Sequence, residues 1–156
     1  MTTSSERTLE AKITAIAECF ALGQVRTYLR ASGTNDNYMV TTSSGDYLFK
    51  IIVNTTLEDV LSGLPFLQRL EEQGFAAAYY LKTPDGQVFY HSSDCDVVVL
   101  KRLSGDMPEP SPTVSREIGI HLAQLHLIPY ADLPEKRHWL DARYLPDAIQ
   151  AAVKLY

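Results

Sequence analysis

Cysteine is scarce in this sequence, long apolar runs are missing, and positive charge is in deficit, and each shortage removes a class of function. The two cysteines, Cys19 and Cys95, stand far apart and form no CxxC pair or other metal-ligand spacing, so no zinc site or disulfide framework is expected. Such usage suits a reducing cytoplasm, which is the expected location. No stretch approaches the roughly 18 continuous apolar residues of a membrane span, and Glu10, Lys12 and Glu18 break up the first apolar segment, so neither a signal-peptide core nor a membrane partner is expected. With 14 Lys and Arg against 19 Asp and Glu, the net charge of −5 offers no footprint for a nucleic-acid backbone.

What remains is a globular chain. Of its 156 residues 46% are apolar or aromatic, enough to offset the entropy of ordering one core or slightly more. Leu9, Ile13, Ile16 or Ala17, and Phe20 recur at helical spacing, with Thr3 and Glu6 placed for a capping box. Val25 to Ala31 and Tyr38 to Thr42 read as strands around the polar tip Ser32 to Asn37. The turn Ser43 to Asp46 leads into Tyr47 to Val53, which completes a three-strand meander. Thr55 to Glu58 reads as a capped helix start. Its apolar side runs through Leu61, Leu64, Leu67 and Leu70 to Gly74, with Gly63 and Pro65 predicting two short helices or a kink.

Ala76 to Leu81 and Val88 to His91, around the turn Thr83 to Gly86, predict a second hairpin, and Val97 to Leu103 a central strand buried on both faces. Ser104 to Pro112 holds three prolines and a glycine, as a linker between lobes would. Ser111 then caps a helix with Pro112 at its first position and Val114, Ile118, Leu122 and Leu125 as its stripe. A last helical pattern runs from Pro146 through Ile149 and Val153.

Lys50 is the first candidate for chemistry. Alternation puts it on the face of Leu48 and Ile52, with Tyr47, Phe49 and Ile51 on the other, and both faces look buried. A lysine so placed is either a cation held at the back of a cleft for a phosphate or a strand-edge residue whose ammonium snorkels to water. The tip Ser32 to Asn37 has one glycine, Gly33, and supplies either backbone N–H groups to an anion or turn geometry alone. His121 and His126 lie five apart and point about 140° from each other on a helix, so packing is their expected role. No Ser, His and Asp combination suggests a nucleophile relay, and Trp139 reads as a packing residue.

Polar-tipped hairpin, lysine strand, acidic helix and strand into a linker follow the order of a kinase nucleotide lobe. Gly33-Thr34-Asn35-Asp36-Asn37-Tyr38-Met39-Val40, Tyr47-Leu48-Phe49-Lys50-Ile51, Leu67 to Phe75, Leu81 to Gly86, Val97 to Gly105 and Ile118-Gly119-Ile120-His121-Leu122-Ala123-Gln124-Leu125-His126 resemble the aminoglycoside phosphotransferase and choline kinase superfamily of small-molecule kinases. Within it the chain looks most like homoserine kinase and hydroxylysine kinase relatives.

The resemblance implies an α+β fold: a protein-kinase-like N-lobe with a five-stranded antiparallel sheet over residues 1–103, a hinge and linker over 104–112, and the first helices of an incomplete helical C-lobe over 113–156. It makes Lys50 the ligand of ATP phosphates, Ser32, Gly33, Thr34 and Asn35 the core of the phosphate-covering loop, and Leu100, Lys101, Arg102 and Leu103 the hinge. An acid should hold the lysine, but Leu61 stands at the aligned position. Glu58, one turn earlier on the same face, is the substitute, although it also fits the third position of a Thr55 capping box.

The family's catalytic Asp, the Asn after it and the Asp that holds magnesium have no counterparts, because there is no His-Gly-Asp and no asparagine beyond Asn54. Asp132, Glu135, Asp141 and Asp147 lack the required spacing. The chain therefore reads as the ATP-binding portion of a kinase for a hydroxyl on an amino alcohol or amino acid. Catalytic residues and Mg2+ ligands are expected in the missing lobe, and self-association through the exposed inter-lobe face. The alternative is a non-catalytic kinase-like module that binds a nucleotide or a protein partner.

Overall fold

A computed structural model describes residues 4–103, 105 and 108–129. In chain order these form α1 (Ser4–Cys19), β1 (Val25–Ala31), β2 (Asp36–Thr42), β3 (Gly45–Ile52), α2 (Leu57–Leu61), α3 (Leu64–Glu72), β4 (Tyr90–His91), β5 (Asp96–Lys101) and α4 (Pro112–His126). The sheet has five strands in the order β1-β2-β3-β5-β4, and every pairing is antiparallel. The expected Thr3–Glu6 box, the acids from Asp132 onward, Trp139 and the last helical pattern lie outside the described residues or side chains.

Alternation along the strands decides which side meets α1. Tyr38, Val40, Tyr47, Phe49, Ile51, Val97 and Val99 point to one face, where Ile13, Ile16, Ala17 and Phe20 of α1 close over them in a single apolar cluster. Phe49, Val97 and Val99 lose all contact with water. Burial of such side chains is worth about 1.5–3 kcal/mol each, which makes this face the stabilising core. The opposite face of β3 is only partly covered: Leu48 and Lys50 are half-buried, while Ile52 and, on β5, Val98 are buried. The expectation that both faces of β3 are shut away therefore holds only at its C-terminal end.

Two local expectations need correction. The capping box of α2 joins Thr56 to Asp59, not Thr55 to Glu58: the Thr56 hydroxyl accepts the Asp59 N–H at 3.0 Å, and the Asp59 carboxylate accepts from the Thr56 backbone. The second hairpin does not form. Ala76 to Leu81 makes only one bridge, Tyr80 to Leu100, and the chain then returns to the same edge of β5 as β4, opposite Val97 and Asp96. Residues 83–87 bulge outward between these two contacts, closed by Thr83 N–H to Gln87 O at 2.8 Å. The reason is that β5 already gives its other edge to β3 and offers one remaining row of partners.

The strand expected over Val97 to Leu103 runs Asp96–Lys101, and Asp36 and Asn37 of the expected tip belong to β2. Gly63 and Pro65 separate α2 from α3, and Gly74 takes a φ of +67° just past α3, where a side chain would be strained. Ser111 caps α4, accepting the Val114 N–H at 3.2 Å. No residue of α4 is buried, and Ile118 and Leu122 are about half exposed, so its apolar stripe covers little of the core. No helix among the described residues is long and apolar enough to cross a membrane.

Candidate functional site

The polar tip between β1 and β2 is fastened by side-chain amides. Asn35 is buried, and its Oδ1 accepts the backbone N–H of Val53 at 3.1 Å and of Asn54 at 3.4 Å. Asn54 answers by donating its Nδ2 to the Thr34 carbonyl. Asn37 donates Nδ2 to the Ser32 carbonyl at 3.3 Å, and Arg30 pairs with Asp36 at the hairpin neck. The loop is thus fastened to the chain leaving β3, while Ser32, Gly33 and Thr34 stay exposed. A shallow cavity of about 530 Å³ lies over it, bounded by residues 30–36 and Asn54.

Lys50 sits on the middle strand within this frame, directly opposite Asn37 on β2 and Val98 on β5. The next row along that face is Leu29, Met39, Leu48 and Leu100, an apolar floor open at Leu29, which is 74% exposed. A cation and an apolar floor thereby share one side of the sheet, and the fastened loop stands at the end of the strands beside them. That arrangement can receive a ligand with an anionic end and a flat apolar end.

The remaining expected residues fall as follows. Glu58 is exposed in the first turn of α2, and among the described residues no ion pair joins it or any other carboxylate to Lys50. With Asp59 taking the cap, Glu58 is released from the structural role its spacing suggested. Of the residues expected to form a hinge, Leu100 is half-buried, Lys101, Arg102 and Leu103 are exposed, and the Arg102 N–H is committed to Asp46 O at 3.0 Å. A base reaching the hinge would need a different backbone group.

His121 gives Nδ1 to the Glu117 carbonyl at 2.8 Å. His91 pairs with Asp96 at 2.7 Å on the surface. Among the described residues no group of three His, Cys, Asp or Glu could hold a metal. A second cavity, about 470 Å³ between the ends of α3 and α4, is bounded by Gln73, Phe75, His121, Gln124 and Ile128 and lies apart from Lys50. Asn54 was the residue sequence reasoning missed; its signal was an amide immediately after an apolar strand.

Comparison with known proteins decides what this architecture is. The family model described as the phosphotransferase enzyme family matches residues 27–155. The chain belongs to that family. Homoserine kinase of Methylobacillus glycogenes is 31% identical over 99 residues, covering 62% of this chain and 31% of that protein. The homoserine kinase of Methylobacillus flagellatus is 28% identical over the same length.

Three solved structures share the fold at 14 to 15% identity. A spectinomycin phosphotransferase with ADP and spectinomycin has a TM-score of 0.61 over 76% of this chain and 38% of its own. An amicoumacin kinase with AMP-PNP and Ca2+ has 0.62 over 91% and 46%. A microcompartment-associated aminopropanol kinase has 0.57 over 88% and 47%. The chain therefore spans about a third of the length of the curated relatives it matches and under half of the solved ones. The five-stranded antiparallel sheet with its helices is the kinase-like N-lobe of this phosphotransferase family.

Proposed function

We propose that this chain is the nucleotide-binding portion of a small-molecule kinase that transfers the γ-phosphoryl group of ATP to a hydroxyl of an amino alcohol or amino acid, homoserine being the first to try. The observation that carries the reading is the placement of Lys50 beside the fastened loop and above the apolar row of Met39, Leu48 and Leu100. Residues 1–103 act as the nucleotide lobe, 104–112 as the hinge and linker, and 113–156 as the start of the substrate lobe. The homoserine kinases and the ADP- and AMP-PNP-bound neighbours support this assignment.

In this reading Lys50 neutralises phosphate charge as a mobile point cation. Ser32, Gly33, Thr34 and Asn35 present the loop backbone to the phosphates and exclude water. The apolar row takes one face of the base, and Leu100 to Leu103 border its edge. Glu58, free of the cap, lies one turn before Leu61, the position at which the acid that holds Lys50 is expected. The magnesium ion that accompanies ATP supplies charge neutralisation at the phosphates, but the described residues contain no carboxylate cluster fit to hold it.

Calorimetric titration with AMP-PNP and magnesium, beside adenosine and a Lys50→Ala variant, tests the proposal. Saturable AMP-PNP binding, weakened about 10- to 100-fold in the variant as loss of a charge-assisted hydrogen bond requires, with adenosine binding unchanged, is the expected result. No binding by the folded parent chain overturns it.

A further inference from the structure

Asn37 and Lys50 are cross-strand partners in the register of β2 and β3, which places their Cβ atoms about 4.5–5.5 Å apart on one face of the sheet. The Asn37 amide has a settled orientation, because a carbonyl can only accept: the group 3.3 Å from Ser32 O must be Nδ2. Oδ1 is therefore the amide atom left out of the bond to the loop. It is buried and has no hydrogen-bond partner among the described residues. An unpaired buried acceptor is costly and calls for a donor.

The register row through Asn37 contains Ala31, Lys50 and Val98, and of those three side chains only the lysine can donate. Lys50 is half-buried and has no ion pair among the described residues. The acid that the kinase pattern would supply is a leucine here, Leu61. Among the described residues, a residue with a spare acceptor and one whose ammonium has no ion pair are therefore cross-strand neighbours. A rotation within the flexible lysine stem brings them together.

We propose that Asn37 is the positioning residue for Lys50: its Oδ1 accepts a hydrogen bond from the ammonium while its Nδ2 holds the Ser32 carbonyl, so that the lysine and the phosphate loop are aligned by one amide. This deepens the nucleotide reading and rests on it for its purpose, though the contact itself can be measured without nucleotide. Gly33 belongs to the same device. A Cβ there would lie 2.0 Å from Asn37 Nδ2, so glycine is what lets the amide close on the loop.

The test is the water-exchange rate of the Lys50 ammonium protons, read by NMR on the 15N-labelled chain at low temperature, in the parent, Asn37→Leu and Asn37→Asp. Removing the acceptor in Asn37→Leu should speed exchange about tenfold, the factor that a hydrogen bond of ordinary strength represents. Asn37→Asp keeps an acceptor and should retain slow exchange, while the amide signals of Ser32 to Thr34 move because the Nδ2 donor is gone. Equal exchange in the parent and a folded Asn37→Leu overturns the proposal. If Asn37→Leu does not fold, fast exchange in Asn37→Asp overturns it. A parallel AMP-PNP titration of the parent keeps the two questions apart: failure to bind sinks the nucleotide reading and leaves the exchange result standing.

Discussion

The side-chain oxygen of Asn35 accepts the backbone N–H of Val53 at 3.1 Å across eighteen positions of sequence. Through this contact the loop after β1 and the segment leading from β3 into α2 behave as one unit. Removing it in Asn35→Ala leaves the Val53 and Asn54 N–H groups without their acceptor, and such a loss costs about 1–3 kcal/mol. Urea unfolding should show that drop. AMP-PNP binding should weaken more than adenosine binding, since the loop faces the phosphates in the proposed complex.

Gly33→Ala places a methyl group against the Asn37 amide, 2.0 Å from Nδ2. The side chain must swing away, and the bond to Ser32 O is lost. The expected penalty is about 1 kcal/mol, accompanied by sharper, solvent-like amide signals over Ser32 to Thr34. An unchanged loop spectrum would show that the amide tolerates the displacement.

The two threonines before α2 offer a direct comparison. Thr56→Ala removes the cap and should cost about 1 kcal/mol. Thr55 contributes only an exposed hydroxyl contact to Asp59 at 3.2 Å, so Thr55→Ala should cost less than about 0.5 kcal/mol. Thermal melts of the pair distinguish the two capping frames.

Alkaline pH should destabilise the fold through two groups that hold their protons more tightly when folded. Burial, reinforced by the Asp85 carboxylate, pushes the Cys19 thiol above its usual 9.0, and burial raises the Tyr80 phenol above 10.0. Both groups are neutral when protonated, so the folded chain keeps these protons to higher pH than the unfolded one. Their contribution is complete below pH 9.0 and is lost as pH rises through the folded values. Urea midpoints between about pH 8 and pH 11 should fall, and Cys19→Ser should flatten the first part of that decline.

The fold was legible wherever a residue's role depends on near neighbours. Alternation placed Lys50 opposite the Tyr47, Phe49 and Ile51 face, and Ser111 with Pro112 marked the start of α4. Two adjacent threonines followed by two adjacent acids, however, offer two equivalent capping frames, and only the path of the chain out of β3 selects Thr56 and Asp59. Ala76 to Leu81 has strand composition but depends on a distant edge with limited room. The same holds for the site. Lys50 and the loop could be read from order along the chain, whereas the work of Asn35, Asn37 and Asn54 rests on contacts made across five to twenty positions.

The excursion at residues 83–87 gives the sheet a point of licence. Its neck is closed by the Thr83 backbone and hydroxyl against Gln87, while Pro84, Asp85 and Gly86 stand outside in water. Edge coverage of β5 is provided on either side by Tyr80 and Tyr90, so the tip itself carries no pairing. Evolution or an engineer can lengthen the chain there, graft a peptide into it or offer it to a protease, and the strand beneath keeps both of its neighbours.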